Sequence, residues 1–259
     1  MTTSDPRYSI TNNDGKLVRL VAPGLTTVDT PNAEPRLQLA ASIDRVDGVT
    51  IDVTLRDAKF SDGNPVRAED VARTYESVMD ERCNSLYQKN FRERYTGVEA
   101  LADGRVRFHL THPLAMFFSD VEFGIISWHG VPPGECRPAR VIGAGPYVVR
   151  ELDTRHVLLD ANPYYSVQPK LPHVEIKFVR DAAARILMLV GGSADLVQNA
   201  VRLDLIEDVV KRPRVQVASA PSVILTYMLL NNLDPALKDK RVRQAIALAI
   251  DRPAIVSAK

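Results

Sequence analysis

The fold is decided by residues 55–71, which read LRDAKFSDGNPVRAEDV. Just before and into this stretch, residues 49–56 alternate apolar and polar side chains, which predicts a strand. Residues 61–63, Ser-Asp-Gly, then predict a tight turn, and Glu69 and Asp70 place carboxylates where the first turn of a helix favours them. The stretch therefore predicts a strand, a turn and a helix in succession.

The predicted helix spans Ala68–Met79 and carries Val71, Tyr75 and Val78 at helical spacing. Residues 104–110 alternate in the same way as the strand and are its predicted partner. We expect the two strands to pair in one sheet of a small domain, with the three apolar side chains of the helix packed on it.

The rest of the chain alternates predicted strands and helices, which is typical of a mixed α/β architecture. The predicted strands are residues 147–151 and 156–160, which form a hairpin, then 174–179, 194–197, 215–217 and 223–230. The predicted helices are residues 16–21, 113–118, 182–190 after a cap at Asp181, 202–211 and 239–250.

The composition excludes several classes of protein. Lysine and arginine total 33 against 32 aspartates and glutamates, so a net charge of +1 provides no overall field to attract nucleic acid or an anionic membrane. No run approaches the roughly 20 consecutive apolar residues that span a bilayer. The chain starts MTTSDP, without the basic start and apolar core of a secretory signal. A cytoplasmic protein and an exported one whose signal has been removed both fit.

Cys83 and Cys136 are the only cysteines. They are too few for a disulfide framework and lack the grouped four-ligand spacing of a structural zinc site. One disulfide and two separate thiols are about equally good interpretations, because the sequence does not fix the redox compartment.

Residues 55–71 resemble the signature of the family 5 extracellular solute-binding proteins, the receptors of ABC importers for peptides, nickel and related solutes. The matching pattern here is Leu-Arg, three intervening residues, then Phe-x-Asp-Gly-x-Pro-x-x-Ala-Glu-Asp-Val. Arg67 departs from it, because the family usually has a Ser or Thr there whose hydroxyl caps the helix. We therefore expect the cap to come from another group.

Further segments are similar to family motifs and occur in the family's order. They are residues 143–147 (GAGPY), 162–165 (NPYY), 181–185 with 192–196, and the run from 230–231 through 242–246 to 249–252. The matches extend over nearly the whole chain, from Asp5-Pro6 to Asp251-Arg252.

The resemblance implies a periplasmic-binding-protein-like α/β fold of type II, in the peptide-binding class. It implies that residues 1–41 are part of the first lobe, that residues 42–140 form a small additional α/β domain inserted in it, and that residues 141–259 are the remainder of that lobe. The second lobe, which family members place after the Ala-Ile-Asp-Arg helix, is not expected within this sequence.

Eight residues are candidates for ligand binding: Gly143, Ala144, Gly145, Gln198, Asn199, Tyr227, Asn231 and Trp128. Gly143 and Gly145 allow a backbone to approach a ligand closely, although a domain crossover that needs positive φ explains them equally well. Gln198 and Asn199 follow a predicted strand and offer amide groups to a peptide backbone, although a solvated turn explains them almost as well.

The resemblance places the strand that carries Tyr227, and Asn231 after it, near the ligand cleft, although a tyrosine there is more often a core or hinge residue. Trp128 lies in a predicted loop that would line the cleft, since tryptophan is a favoured ligand anchor. The interpretation of Trp128 as a core residue of the small domain is somewhat stronger.

The sequence predicts no catalytic residue, no metal site and no cofactor. It has no Gly-x-Ser-x-Gly elbow, no phosphate-binding loop and no dinucleotide fingerprint, since the pair Gly143 and Gly145 lacks the third glycine. The five histidines show neither His-x-x-x-His nor His-Glu spacing.

The resemblance implies a non-enzymatic receptor that captures a peptide or related small solute outside the cytoplasm and delivers it to the membrane permease of an ABC importer. No nucleic acid partner is expected for this chain. The alternative is a ligand-sensing domain of a transcriptional regulator, because domains of this family also occur fused to DNA-binding modules. An export signal upstream would indicate the receptor, and a helix-turn-helix would indicate the regulator.

Overall fold

The structure is a computed structural model that describes residues 3–28, 34–136, 138, 140–198, 203–220 and 227–257. The chain divides into two units, residues 1–184 and residues 185–259, and each is described by itself. The finer division that the sequence predicts, with boundaries at residues 41 and 140, stays a prediction.

The helices in the described part are α1 (Asn12–Val21), α2 (Ala68–Met79), α3 (Gln88–Arg94), α4 (Phe117–Asp120), α5 (Ala182–Val190), α6 (Ile206–Val210), α7 (Lys240–Ala249) and α8 (Arg252–Ser257). The strands are β1 (Thr26–Thr27), β2 (Arg36–Leu37), β3 (Ala40–Arg45), β4 (Thr50–Leu55), β5 (Tyr95–Ala100), β6 (Val106–Leu110), β7 (Tyr147–Leu152), β8 (His156–Ala161) and β9 (His173–Lys177). No helix among these residues is both long and apolar enough to cross a bilayer.

The first unit contains a four-stranded antiparallel sheet in the order β3-β4-β6-β5. Thr50 lies opposite His109 and Val53 opposite Val106, so the predicted strand pairing is confirmed. Helix α2 begins and ends where the sequence predicted, and Val71, Tyr75 and Val78 have no exposed surface. The helix therefore packs through the predicted apolar stripe.

The cap of α2 comes from within the helix itself. Asp70, the third helical residue, accepts a hydrogen bond at Oδ2 from the backbone N–H of Arg67, at 3.1 Å. This is the carboxylate half of a capping box, formed without the usual hydroxyl half. The place of the Ser or Thr hydroxyl is not taken by another side chain, since Asp70 N donates to the backbone oxygen Arg67 O at 3.1 Å.

Helix α1 joins the four-stranded region to a three-stranded antiparallel sheet, β7-β8-β9. Its Leu17 and Val21 pack against Val157 and Leu159 of β8. A second side of the helix packs, through Val18 and Ala22, against Ile126 and Trp128. Because two sides of α1 are buried, the helix holds β8 on one side and the segment with Ile126 and Trp128 on the other.

Helix α1 is longer than predicted. Residues 13–15, Asn-Asp-Gly, have a composition typical of a turn, but Asp14 N donates to Thr11 Oγ1 at 3.0 Å and Thr11 N donates to Asp14 Oδ2 at 3.1 Å. These two hydrogen bonds form a capping box that starts the helix at Asn12, four residues before the prediction.

Several other predicted elements differ in the structure. The apolar spacing of the predicted strand extends back to residue 43, yet residues 43–53 contribute to two strands, because Asp47 Oδ1 accepts from Val49 N and turns the chain between β3 and β4. The short predicted helix at residues 113–118 is shifted to Phe117–Asp120. The sequence analysis did not predict α3 or β5.

Two predicted strands of the second unit are wrong. At residues 194–197 the chain instead closes helix α5, because Ser193 N and Ala194 N both donate to Met188 O. Residues 215–217 form no strand and follow a turn in which Val215 N donates to Arg212 O. The predicted strand at residues 223–230 lies partly outside the described residues, and residues 227–230 are not in a strand.

Cys83 and Cys136 form a disulfide with a Cα–Cα distance of 5.0 Å. The N-terminal segment is tied to both cysteines, because the Tyr8 hydroxyl donates to Cys83 O and Arg7 Nη1 donates to Cys136 O, each at 2.6 Å. The choice that the sequence left open is therefore decided in favour of a disulfide, which links the end of α2 to the loop after Trp128.

We expect the double substitution Cys83→Ser/Cys136→Ser to lower the free energy of unfolding by about 2–5 kcal/mol, since the bridge closes a loop with a sequence separation of 53. Urea unfolding measured by circular dichroism tests this. Wild-type protein denatured without reductant should show no titratable thiol. Two titratable thiols would contradict the disulfide.

Asp52 on β4 is buried and accepts hydrogen bonds from two arginines of the neighbouring chain segment. Arg107 donates to both carboxylate oxygens, at 2.7 and 2.9 Å, and Arg105 Nη1 donates at 2.8 Å. The hydrogen bonds from Arg107, with the positive charges of both arginines, hold the pKa of Asp52 below its ordinary value. The ionised form therefore stabilises the folded chain.

We expect Asp52→Asn to lower the free energy of unfolding by roughly 1–2 kcal/mol at neutral pH, because hydrogen bonds to a charged group are lost. A pKa depressed in the folded state makes this stabilisation complete above about pH 4 and lost as the pH falls further. Denaturant unfolding of both proteins at pH 7 and pH 3 measures it. A difference that grows on acidification would contradict the assignment.

Candidate functional site

The family-like motifs of the first unit meet at one place. In the turn after β4, Gly63 has φ +86°, which favours glycine, and Gly63 N donates to Phe60 O at 2.9 Å. A Cβ on Gly63 would lie 3.0 Å from the ring of Tyr164, in the later Asn-Pro-Tyr-Tyr motif. The turn and the Tyr164 ring are therefore in contact.

Gly143 and Gly145 are required by close packing and not by backbone conformation. Neither has a positive φ, so the interpretation as a crossover that needs positive φ is wrong. A Cβ on Gly143 would come closer than 3.0 Å to Val21 O, and one on Gly145 closer than 3.0 Å to Leu20 O, at the end of α1. No side chain fits between these backbones.

The backbone groups of these glycines are already paired within the protein. Gly143 O accepts from Ser61 N at 3.0 Å, and Gly145 N donates to Val21 O at 2.8 Å. Gly145 O accepts from Asn162 Nδ2 at 2.8 Å. The three motifs, residues 60–65, 143–147 and 162–165, are thus joined by hydrogen bonds, and the candidate residue at the edge of open space is Ala144, which is only 3% exposed.

Ala144 lines an open cleft of about 610 Å³, which we call the Tyr164 cleft. It is bordered by Pro23, Thr27, residues 36–39, residues 56–59, Ala144 and residues 164–166. Arg56 is held in place by its Nε, which donates to Ala40 O at 2.9 Å. The cleft combines three cationic side chains and one carboxylate with two phenol rings.

Trp128 is 5% exposed and is held by α2. Its indole N–H donates to Thr74 Oγ1 and its backbone N–H donates to Asp70 Oδ1, each at 3.0 Å. The guanidinium carbons of Arg7 and Arg73 lie 4.9 and 4.5 Å from the ring centroid. These contacts fit the interpretation of a core tryptophan, and ligand binding by Trp128 stays a prediction.

Burial raises the pKa of Asp70, while the hydrogen bonds from the backbone N–H groups of Trp128 and Arg67 lower it in part. His129, next to Trp128, has its Nε2 3.7 Å from Asp70 Oδ2. The same loop borders a second groove of about 450 Å³, between His129 and Ile142. The backbone next to Trp128 therefore reaches an open surface even though its ring does not.

The remaining candidates belong to the second unit. Gln198 is exposed, Asn199 lies outside the described residues, and Tyr227 is 69% exposed. Asn231 Oδ1 accepts from Leu233 N at 3.0 Å, so this side chain stabilises a local turn. Their ligand roles stay predictions.

Residues 34–258 match the profile of the bacterial extracellular solute-binding proteins, family 5, middle region. The chain belongs to this family. It is 27% identical to the Escherichia coli K12 protein named "Probable D,D-dipeptide-binding periplasmic protein DdpA", over 98% of this chain and 52% of that protein. The chain thus spans about half the length of the curated relatives it matches.

Solved structures of the family have the same fold. NikZ from Campylobacter jejuni, crystallised with Ni(L-His), is 26% identical with a TM-score of 0.83, over 99% of this chain and 52% of that one. AppA from Bacillus subtilis, crystallised with a nonapeptide, is 27% identical with a TM-score of 0.80, over 98% and 52%. The type II periplasmic-binding-protein fold inferred from the sequence is confirmed, and this chain covers a single lobe of it.

Sequence reasoning missed the side chains of the Tyr164 cleft. Arg56 and Lys59 lie inside the quoted family signature, and Tyr164 lies in the Asn-Pro-Tyr-Tyr motif, but each motif was assigned a local structural role. Arg36 carries no recognisable motif. A signal was present in the motifs themselves, since segments that identify one family are expected to lie close together in its fold.

We expect Gly143→Ala to lower the free energy of unfolding by about 3 kcal/mol, because its Cβ would press on backbone that cannot move aside as a side chain can. Gly97→Ala on β5 is the matched control, since nothing lies within 4 Å of its Cβ. Thermal and urea unfolding compare the two. Equal stabilities would contradict the close packing at Gly143.

Proposed function

We propose that this chain is the substrate-binding part of an ABC importer, which captures a peptide or related small solute and delivers it to a membrane permease. The observation that carries the proposal is the Tyr164 cleft, placed where the family motifs meet in a chain of a solute-binding family. The proposed role is binding without chemistry, as in the relatives that are named binding proteins.

The cleft has the size and chemistry for such a ligand. Its volume of about 610 Å³ lies within the range of small-molecule sites, about 300–1,000 Å³. Arg36, Arg56 and Lys59 supply positive charge for a ligand carboxylate, and Asp57 supplies a partner for an amino group. Tyr164 adds an exposed ring face.

The proposed site in the first unit includes one sequence candidate, Ala144, at the edge of the cleft. For the second unit by itself, Gln198, Tyr227 and Asn231 are proposed as ligand contacts, and Asn199, which lies outside the described residues, is proposed with them. The second unit also has exposed apolar side chains, among them Leu229, Leu233 and Leu248, which suit burial against a further lobe.

A location outside the cytoplasm belongs to the same proposal. The Cys83–Cys136 disulfide supports it, because disulfides form and persist in oxidising compartments such as the bacterial periplasm. The regulator alternative has no specific observation in its favour.

We expect the 259-residue chain to bind solutes weakly, because small-molecule sites normally enclose most of the ligand and this cleft is open. Losing three desolvated contacts of about 1.4 kcal/mol each costs about a thousandfold in affinity. Nuclear magnetic resonance titration of the labelled chain with di- to nonapeptides should show binding in the millimolar range, with shifts around Lys59, Ala144 and Tyr164. AppA with its nonapeptide is the positive control.

The substitution Lys59→Glu should weaken peptide binding at least about tenfold, since it repels the ligand carboxylate. Lys89→Glu on α3, outside the cleft, is the matched control and should leave the affinity unchanged. If peptides bind and Lys59→Glu has no effect, the assignment to this cleft is wrong while solute capture stands. If no peptide binds at millimolar concentration, solute capture by this chain is wrong.

A further inference from the structure

A second cluster of functional side chains lies on the β7–β8 hairpin, at the opposite end of β7 from the glycine motif. Glu151 is on β7, Asp153 is in the turn, and His156 is the first residue of β8. One ligand atom from each of the three lies within 4.8 Å of the other two. His156 Nε2 is 3.5 Å from Glu151 Oε1 and 3.9 Å from Asp153 Oδ2.

The fold of the hairpin brings these groups together. Asp153 Oδ1 accepts from Arg155 N at 2.7 Å and from His156 N at 2.8 Å, which fixes the turn and leaves Oδ2 turned to the imidazole. A bulge between Val149 and Glu151 sets Glu151 opposite Leu158, so that Glu151 and His156 share one face of the sheet. The other face carries Val157 and packs on α1.

The imidazole of His156 is held by a carboxylate at its other nitrogen. Nδ1 lies 3.2 Å from Oε1 of Glu175, on the neighbouring strand β9. A metal ion bound at Nε2 would leave Nδ1 to donate to this carboxylate, as in the carboxylate–histidine–metal arrangement of many metal sites.

The other ring nitrogen of His156, Nε2, faces two carboxylates. It is a buried atom without a hydrogen bond among the described residues, and its nearest charged neighbours are the two carboxylate oxygens. Two carboxylates that converge on one nitrogen attract a cation into the space between them. Arg155 Nε, 3.5 Å from Asp153 Oδ2, and Lys177 Nζ, 3.6 Å from Glu175 Oε2, offset only part of the charge of the three carboxylates.

We propose that Glu151, Asp153 and His156 form a binding site for a divalent transition-metal ion of the Zn²⁺ type, with Glu175 as a positioning residue behind the imidazole. One imidazole nitrogen with two carboxylates suits Zn²⁺ better than Mg²⁺ or Ca²⁺, which prefer oxygen ligands alone. Three protein ligands leave a coordination position open to water. The histidine spacing patterns did not reveal this site, because it uses a single histidine.

The site does not depend on the proposed solute capture. It lies on a hairpin of the first unit whose residues do not border the Tyr164 cleft. Its half-exposed Glu151 gives an ion access from solvent.

The test is titration of the chelator-treated chain with Co²⁺, followed by visible absorption, and then displacement by Zn²⁺ followed by calorimetry. We expect one ion per chain, a Co²⁺ spectrum with a nitrogen ligand, and a raised melting temperature with Zn²⁺. His156→Gln should lower the affinity more than tenfold, and Glu175→Gln at least about tenfold by loosening the imidazole.

His173→Gln is the matched control. His173 lies on β9 of the same sheet and pairs with a single carboxylate, Asp160, at 2.8 Å, so its loss should leave the affinity unchanged. Retained affinity in His156→Gln, or loss in His173→Gln alone, would overturn the proposal, as would a wild-type chain that binds neither ion. If His156→Gln does not fold, the variant Glu151→Gln/Asp153→Asn, which keeps the imidazole, decides in its place, since it too must lose the ion.

Discussion

The first unit depends on backbone-to-backbone contact around the end of helix α1. Four glycines make it: Gly24, Gly124, Gly143 and Gly145. A Cβ on any of them would come closer than 3.0 Å to a backbone oxygen. Three backbone hydrogen bonds hold these segments together: Leu25 N donates to Val121 O, Ile125 N to Pro23 O and Gly145 N to Val21 O. Helix α1 also packs on the three-stranded sheet. The contacts at the end of α1 therefore fix the position of that sheet relative to the segments that border the Tyr164 cleft.

The sequence was sufficient where the structure follows from local periodicity. Helix α2 has a carboxylate-rich start and an apolar stripe that repeats every three to four residues, so its bounds and its buried face were both predictable. Strands β4 and β6 each alternate cleanly, and their pairing needed only the assumption that two half-buried strands share a sheet. In α2 and in the two strands, a single hydrophobic repeat, helical or alternating, describes the whole element.

The predictions failed where particular hydrogen bonds override the composition of a segment, or where a contact joins distant residues. Residues 13–15 read as a turn from composition, but the reciprocal hydrogen bonds of Thr11 and Asp14 make them helical. The apolar runs at residues 194–197 and 215–217 suit strands, yet their backbone groups bond to the preceding helix end or turn. The disulfide could not be decided either, since it requires the loop after Trp128 to return to the end of α2 across 53 residues. For the same reason the cleft could not be derived, because its walls come from five separate segments.

Most of the residues that identify the family make contacts within the protein that stabilise its fold. Gly63, Gly143, Gly145 and Asn162 are recognisable because little else fits their positions: each meets backbone or ring atoms at contact distance or bonds to a backbone oxygen. Such positions indicate which fold a chain adopts and where its cleft lies. They give little information about the identity of a ligand in that cleft. Under the proposed function, ligand choice rests on side chains outside these close contacts, such as Lys59 between the motif residues Ala58 and Phe60. A family assignment made from motifs therefore locates a binding site more sharply than it identifies the ligand.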